Sequence, residues 1–241
     1  MKVAVVAIAL NEERFITPWI SHIPDWVNEV CVLVSSKPWF GDEVQRDNTA
    51  EAARAAGAQR VVEWDWPSEE VQRNYAQGIY HDYDWLIILD PDEFLDNKNW
   101  RKLKEIIDDP DSRELINAGI VRSQYTYWKS GYLAYPRRDY QQLILVKPSV
   151  RFVDKRVVNT GFVVLSVDVH HFSWARTDRE VLDKITHYAH ANDFDTKKWY
   201  EEVWLPWKPG DQDVHPTSPE TLHDLIPAKL PPELEELNLW P

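Results

Sequence analysis

Over residues 1–90, short apolar runs alternate with longer segments whose apolar residues recur at helical spacing. Lys2–Ala9 reads as a strand. Glu12–His22 follows as a helix, with Phe15, Trp19 and Ile20 on one face, Ile23 just beyond and Pro18 inside. Glu29–Ser36 is a second strand built on Val30, Val32, Leu33 and Val34. A polar loop with Pro38 and Gly41 leads to Asp47, the expected cap of an alanine-rich helix, Thr49–Ala56, that Gly57 ends. Gln59–Trp64 is a third strand. Pro67 and Ser68 open a helix through about Tyr80, and Trp85–Asp90 is the fourth strand. The unbroken apolar run from Trp85 to Leu89 needs cover on both faces, which suits a central strand of a parallel sheet. The alternation predicts an α/β fold, a mostly parallel, doubly wound sheet with right-handed crossovers.

The pattern then changes. Asn99–Asp108 reads as a helix, ended by the turn Asp108-Asp109-Pro110-Asp111. Ala118–Trp128, Gln141–Lys147, Phe162–Val167 and Val169–Ser173 are strand-like, mixed in polarity and expected to pair antiparallel. Thr177 and Glu180 form a capping box for a helix to about His190, and Asp195–Trp204 is a second helix. From Pro206 onward prolines are frequent and periodicity is lost. Trp207, Leu225, Leu237 and Trp240 argue for an ordered strap over residues 206–241 rather than a disordered tail.

Composition narrows the classes. At 241 residues, 44% hydrophobic and 28% charged, the chain is globular and long enough to bury a core. The net charge of −13 opposes non-specific nucleic-acid binding, where phosphate contacts dominate. Cys31 is the single cysteine, so there is no internal disulfide; in a strand it is expected to be a buried structural thiol in a reducing compartment. No stretch approaches the roughly 20 apolar residues of a membrane span. Val3–Leu10 is too short for a signal sequence and runs into Asn11-Glu12-Glu13, so a cytoplasmic location is expected. The 13 tryptophans are expected mainly to fill the core, some to stack on sugar rings.

The candidate chemistry sits where the fourth strand stops, at Asp90-Pro91-Asp92-Glu93. Ligands of open α/β sheets bind outside the carboxyl ends of the strands. Pro91 stiffens the turn. Two carboxylates so held suit Mn²⁺ or Mg²⁺, cations that keep positions open for phosphate oxygens. An Asp-x-Asp taken alone is more often a helix cap. No Gly-x-Gly-x-x-Gly follows the first strand, so the dinucleotide fingerprint is missing.

Five segments, in order, resemble a family 2-type glycosyltransferase of the GT-A fold. They are Val3–Glu13, ending on Asn11-Glu12; Asp47-Asn-Thr-Ala-Glu51 with Gly57-Ala58; Arg73-Asn-Tyr-Ala-Gln-Gly78; Asp90-Pro-Asp-Glu-Phe94; and His170-His-Phe-Ser-Trp174. The resemblance covers roughly residues 1–190 and adds an antiparallel part and C-terminal helices to the expected sheet. It implies one catalytic domain over residues 1–205, with a nucleotide-binding half (1–96) and an acceptor half (97–205). It implies that Asn11, Glu12, Asp47, Arg73 and Asp90 face the donor nucleotide. Asp92 would bind the metal directly, and Asp90 through water or by holding the ribose instead. His171 would complete the shell in preference to His170, because neighbours on a strand point to opposite faces. The implied activity is metal-dependent transfer of a sugar from a nucleotide-sugar donor to a hydroxyl of a glycan or other acceptor. Arg137 and Arg138, in an aromatic-rich stretch with Tyr127 and Trp128, are the expected acceptor site, together with Trp174.

Two departures from the family pattern stand out. Ser35 and Ser36 occupy the place of an aspartate that reads uracil, leaving Asp42 or Asp47 to substitute. Val157-Val158-Asn159 lacks the acid expected of a general base, which leaves Asp139 and Glu93 as candidates and the stereochemistry open. The alternatives are a sugar nucleotidyltransferase, disfavoured because Asn11-Glu12-Glu13 replaces a glycine-rich basic loop, a metal-dependent phosphohydrolase, or a non-catalytic carbohydrate-binding protein of the same fold.

Overall fold

The computed structural model describes residues 1–41, 43–134, 141–187 and 190–241. Arg137, Arg138 and Asp139, like Asp42, lie outside the described residues. Strands β1 (Val3–Ala9), β2 (Glu29–Ser35), β3 (Arg60–Trp64) and β4 (Trp85–Ile88) are parallel and joined by helices α1 (Glu13–Ser21), α2 (Thr49–Ala55) and α3 (Glu69–Ile79). Every residue of β1 and β4 is buried. Their side chains alternate between two cores, as a strand covered on both faces requires. Val3, Val5, Ala7 and Ile87 join Phe15, Ile16 and Trp19 of α1; Ala4, Val6, Ile8, Leu86 and Ile88 join Ala76 of α3 and Tyr80. Each fully buried Val, Leu or Ile contributes about 1.5–3 kcal/mol, so the central pair anchors the sheet.

Beyond β4 come β5 (Glu93–Phe94), α4 (Asn97–Asp108), α5 (Pro110–Leu115), β6 (Ala118–Ile120), β7 (Ser123–Trp128), β8 (Tyr132–Ala134) and β9 (Leu143–Val146). After these, β10 (Phe152–Asp154), β11 (Val157–Val158), β12 (Val163–Val164) and β13 (Asp168–Trp174) complete the second half. The large sheet runs β12-β6-β9-β4-β1-β2-β3, with β9 antiparallel to both neighbours. This is the mostly parallel α/β sheet with an antiparallel part that the sequence predicts.

The details of the second half differ from the expectation. The single strand expected over Ala118–Trp128 breaks at Val121-Arg122. Its first part, β6, stays in the large sheet, and its second, β7, enters another sheet in which β8, β7, β13 and β5 lie side by side in that order. β6–β12 and β7–β13 pair parallel rather than antiparallel. Polarity alternation marks which face of a short strand is buried, but partner and direction depend on where the chain returns.

α6 (Asp178–His187) starts at the expected capping box, where Thr177 N donates to the Glu180 carboxylate at 2.7 Å. α7 (Thr196–Trp199) widens into a π-helical turn over Tyr200–Trp204. In the C-terminal segment, β14 (Leu225–Pro227) pairs with β8, and Leu230, Leu234 of α8 (Pro232–Glu235) and Leu239 enter the main core. Cys31 is fully buried, and burial pushes its thiol up to about 12. Among the described residues no helix is long and apolar enough to cross a membrane.

Candidate active site

β4 ends at Ile88, two residues short of the expected Asp90. Leu89 N still donates to Val6 O at 3.2 Å, after which the chain turns. The turn is self-tied: Glu93 N donates to Asp90 O at 2.9 Å and Asp90 N to the Glu93 carboxylate at 3.0 Å. It then becomes β5, which pairs antiparallel with β13 so that Glu93 stands opposite His171 and Phe94 opposite His170. Phe172 N donates to Asp92 O at 2.7 Å, locking the two strands at the acidic turn. A cleft of about 1340 Å³ opens here, lined by the carboxyl end of β1, the 43–48 loop, the acidic turn, β13 and α6.

Asp92, Glu93 and His171 each bring a ligand atom to within 4.8 Å of the others. His171 Nε2 lies 3.6 Å from Asp92 Oδ1. His170 points to the opposite face, where Nδ1 meets Tyr127 OH at 2.7 Å and Nε2 lies 3.6 Å from Asp96. Strand alternation thus separates the histidines in the direction read from the sequence. The acids divide differently from the expectation. Asp90, expected at the metal, is held by both Nη atoms of Arg73 at 3.2 and 2.9 Å, and Glu93 takes its place beside Asp92.

These carboxylates are neutralised by cations from three distant segments. Asp92 Oδ2 accepts from Arg176 and from Lys184 Nζ, each at 2.9 Å. Glu93 accepts two bonds from Arg156, at 2.6 and 2.8 Å. Burial resists ionisation of Asp92, but Lys184, His171 and Arg176 outweigh it and hold the carboxyl well below the usual range. Asp90 is likewise lowered, because Arg73 and Arg156 overcome burial. Glu12 goes the other way. Arg176 Nη2 meets both its oxygens at 2.9 Å, yet that guanidinium is shared with Asp92. Burial, aided by the Asp92 charge, raises Glu12 to about 7. With Lys184 also at Asp92, that acid stays ionised, and Glu12, to which among the described residues only the shared guanidinium is bonded, titrates higher.

Asn11, Glu12 and Asp47 line the cleft. Asn11 adopts φ 55°, a left-handed conformation that asparagine tolerates, and its side chain accepts from Asp47 N and donates to Gln45 O. Asp47 accepts from Glu13 N and Thr49 N, both at 2.9 Å, so it ties the starts of α1 and α2 together. Arg73 also lines the cleft, but its fork is spent on Asp90 and Glu69 instead of being presented to a nucleotide. Its neighbour Asn74 is bonded both ways to the backbone of Phe152. Ser35 is tied inward, donating to Gln72 at 3.2 Å.

Glu93 is not a free base: Arg156 and Asp90 N take three of the roughly four acceptor sites of its carboxylate and leave one on Oε1. Tyr127 and Trp128 are not acceptor-site residues, being 1% and 0% exposed. Tyr127 stacks on Phe172 at 4.4 Å, and Trp128 packs among Trp174, Trp199, Trp204 and Trp207. Rings this large gain more from full burial than from the cleft wall. Trp174 belongs to the same cluster and also lines the cleft.

Sequence reasoning missed Arg156, Arg176, Lys184 and Gln124. Buried acids demand buried counter-charges, so some cation was implied. Nothing in the local pattern says which of 27 Lys and Arg residues supplies it.

No family profile matches this chain. A TPR repeat-containing protein of Synechococcus elongatus is 27% identical over 152 residues, 63% of this chain and 33% of that protein. The chain thus matches about a third of the length of this curated relative. Among solved structures, glucosyl-3-phosphoglycerate synthase of Mycobacterium tuberculosis with Mn²⁺, UDP-glucose and phosphoglyceric acid is 20% identical. Its TM-score is 0.36, over 53% of this chain and 44% of that one. The same synthase with Mg²⁺ and UDP gives 20% identity and a TM-score of 0.36, over 53% of this chain and 43% of that one. Likeness of this extent assigns neither family nor activity.

Proposed function

We propose that this chain is a metal-dependent glycosyltransferase that moves a sugar from a nucleotide-sugar donor to an acceptor hydroxyl. The observation that carries the proposal is the trio Asp92, Glu93 and His171, gathered at the end of the central strand on the wall of a wide cleft. Two buried carboxylates and one imidazole fit Mn²⁺ or Mg²⁺ and leave positions open for phosphate oxygens. When bound, the ion supplies Lewis-acid neutralisation of the charge that develops on a departing diphosphate.

The chain's own residues would do the rest. Arg156 and Arg73 hold the acidic turn rigid from behind. Arg176 and Lys184, already at Asp92, are placed to donate to the outer phosphate oxygens. Asn11 and Asp47 shape the loop proposed to face the ribose and base, and Arg176 links Glu12 to Asp92 of the trio. With Glu93 engaged by Arg156, Asp139 is the proposed acceptor base, and Arg137 and Arg138 the proposed acceptor-side cations, on sequence grounds alone.

Calorimetric titration with UDP and with GDP tests the reading. Mn²⁺ is expected to raise the affinity for at least one of them. Asp92→Ala should abolish the gain, and His171→Ala should reduce it far more than His170→Ala. Equal diphosphate binding in chelator and in Mn²⁺ would sink the assignment.

A further inference from the structure

Gln124, in β7, is 5% exposed, lines the cleft and lies beside His171. Its Nε2 sits 3.0 Å from His171 Nδ1 and donates at 2.9 Å to Thr126 Oγ1, while its Oε1 is buried without a partner. The two ends of a carboxamide are nearly the same shape but opposite in hydrogen-bond sense. With the nitrogen against the imidazole, Nδ1 must carry the lone pair. The neutral ring then carries its proton on Nε2, aimed at Asp92 Oδ1, and cannot ligate from that atom. With the oxygen against the imidazole, Nδ1–H donates to it and the Nε2 lone pair faces Asp92 and Glu93. Oε1 then also accepts from the Thr126 hydroxyl. Either orientation leaves one buried amide group without a partner, so that cost does not choose between them. The state of the imidazole does.

We propose that Gln124 is a positioning residue that sets the tautomer of His171, turning its carbonyl to Nδ1 so that Nε2 is freed as a ligand. The proposal rests on the metal reading above and adds to it a two-position amide that gates the nitrogen ligand. A group that orients a ligating histidine typically changes metal affinity by 10–100-fold when removed.

The test uses the full chain with ¹⁵N-labelled histidine, the tautomer of His171 read by NMR with and without diamagnetic Mg²⁺, and Mn²⁺ affinity read by EPR. In the wild type, Mg²⁺ should move the proton of His171 from Nε2 to Nδ1. Gln124→Met, which accepts no strong hydrogen bond, should lose this shift and bind Mn²⁺ 10–100-fold more weakly. Gln124→Glu, an obligate acceptor when ionised, should hold the Nδ1–H tautomer even without cation and keep at least wild-type affinity. If both variants weaken Mn²⁺ equally, or if Gln124→Met stays within twofold of wild type, the gating role is overturned while the metal reading stands. If the wild type itself binds no Mn²⁺, both fall together.

Discussion

Arg156→Met is the most discriminating single perturbation of the acidic turn. The Arg156 side chain is 14% exposed, and four of its five N–H donors are engaged. Nε donates to Leu143 O at 2.9 Å, Nη2 to Ile88 O at 2.7 Å, and the two Nη atoms grip Glu93 at 2.6 and 2.8 Å, with Asp90 at 3.6 Å. Methionine keeps much of the aliphatic volume and removes every donor. Glu93, 1% exposed, would be left as a buried carboxylate without its counter-charge. Breaking such a pair from one side costs about 3–5 kcal/mol, and two abandoned backbone carbonyls push the loss toward the upper end. For a chain of this size that corresponds to a fall in Tm of roughly 6–20 °C. Urea unfolding without divalent cation measures it. The companion Arg156→Met/Glu93→Gln should recover more than half the loss, because most of the penalty belongs to the stranded charge and not to the missing bonds. A loss below about 1 kcal/mol, or a double variant as unstable as the sum of the singles, would refute the view that Arg156 is the electrostatic keystone of the turn.

Two further outcomes follow from the geometry. Glu12 rises from 4.5 to about 7 in the fold, so between those pH values the folded state holds a proton that the unfolded state has released. Stability is therefore lost as pH rises through this window, by on the order of 3 kcal/mol in all, at about 1.36 kcal/mol per unit. Subtracting Glu12→Gln stability from wild type at pH 4.5 and pH 8 should show that decline, and a flat difference would contradict it. Gly119 in β6 has no room for a side chain, since an added Cβ would lie 2.7–2.8 Å from Leu165 Cδ1, Cδ2 and Cγ. Gly119→Ala should destabilise by about 1–3 kcal/mol, and adding Leu165→Ala should leave the glycine position indifferent to the methyl group. Additive losses in a denaturation cycle would count against the clash.

The legible part of the site was the part written in consecutive residues. Asp90-Pro91-Asp92-Glu93 announces a rigid acidic turn because an apolar run ends in acids around a proline. The two-residue period of a strand said that only one of His170 and His171 reaches the acidic turn; that His171 is the one facing it is a fact of the fold. What was misread involved competition between neighbours. Residue type and position point both Asp90 and Arg73 at a ligand, yet the fold spends them on each other. The sequence points Tyr127 and Trp128 at an acceptor site, yet their rings fill two different cores. Neither outcome is visible in residue type, because a fork or a ring serves a partner within the protein as well as one outside it.

By itself the sequence determined the alternation of strands and helices in the first half, the burial of β1 and β4 on both faces, and the position of the acidic turn at the end of the central strand. These depend on local periodicity and on the stiffness of single residues, which act over a few positions. Tertiary structure alone decided that Glu93, not Asp90, joins Asp92 and His171, that Arg156, Arg176 and Lys184 balance the acids, and that Gln124 touches the imidazole. Those contacts join residues from 47 to 92 positions apart. Charge balance inside a low-dielectric wall requires that some cation be there, but which one arrives is settled by how the second half of the chain folds back across the first.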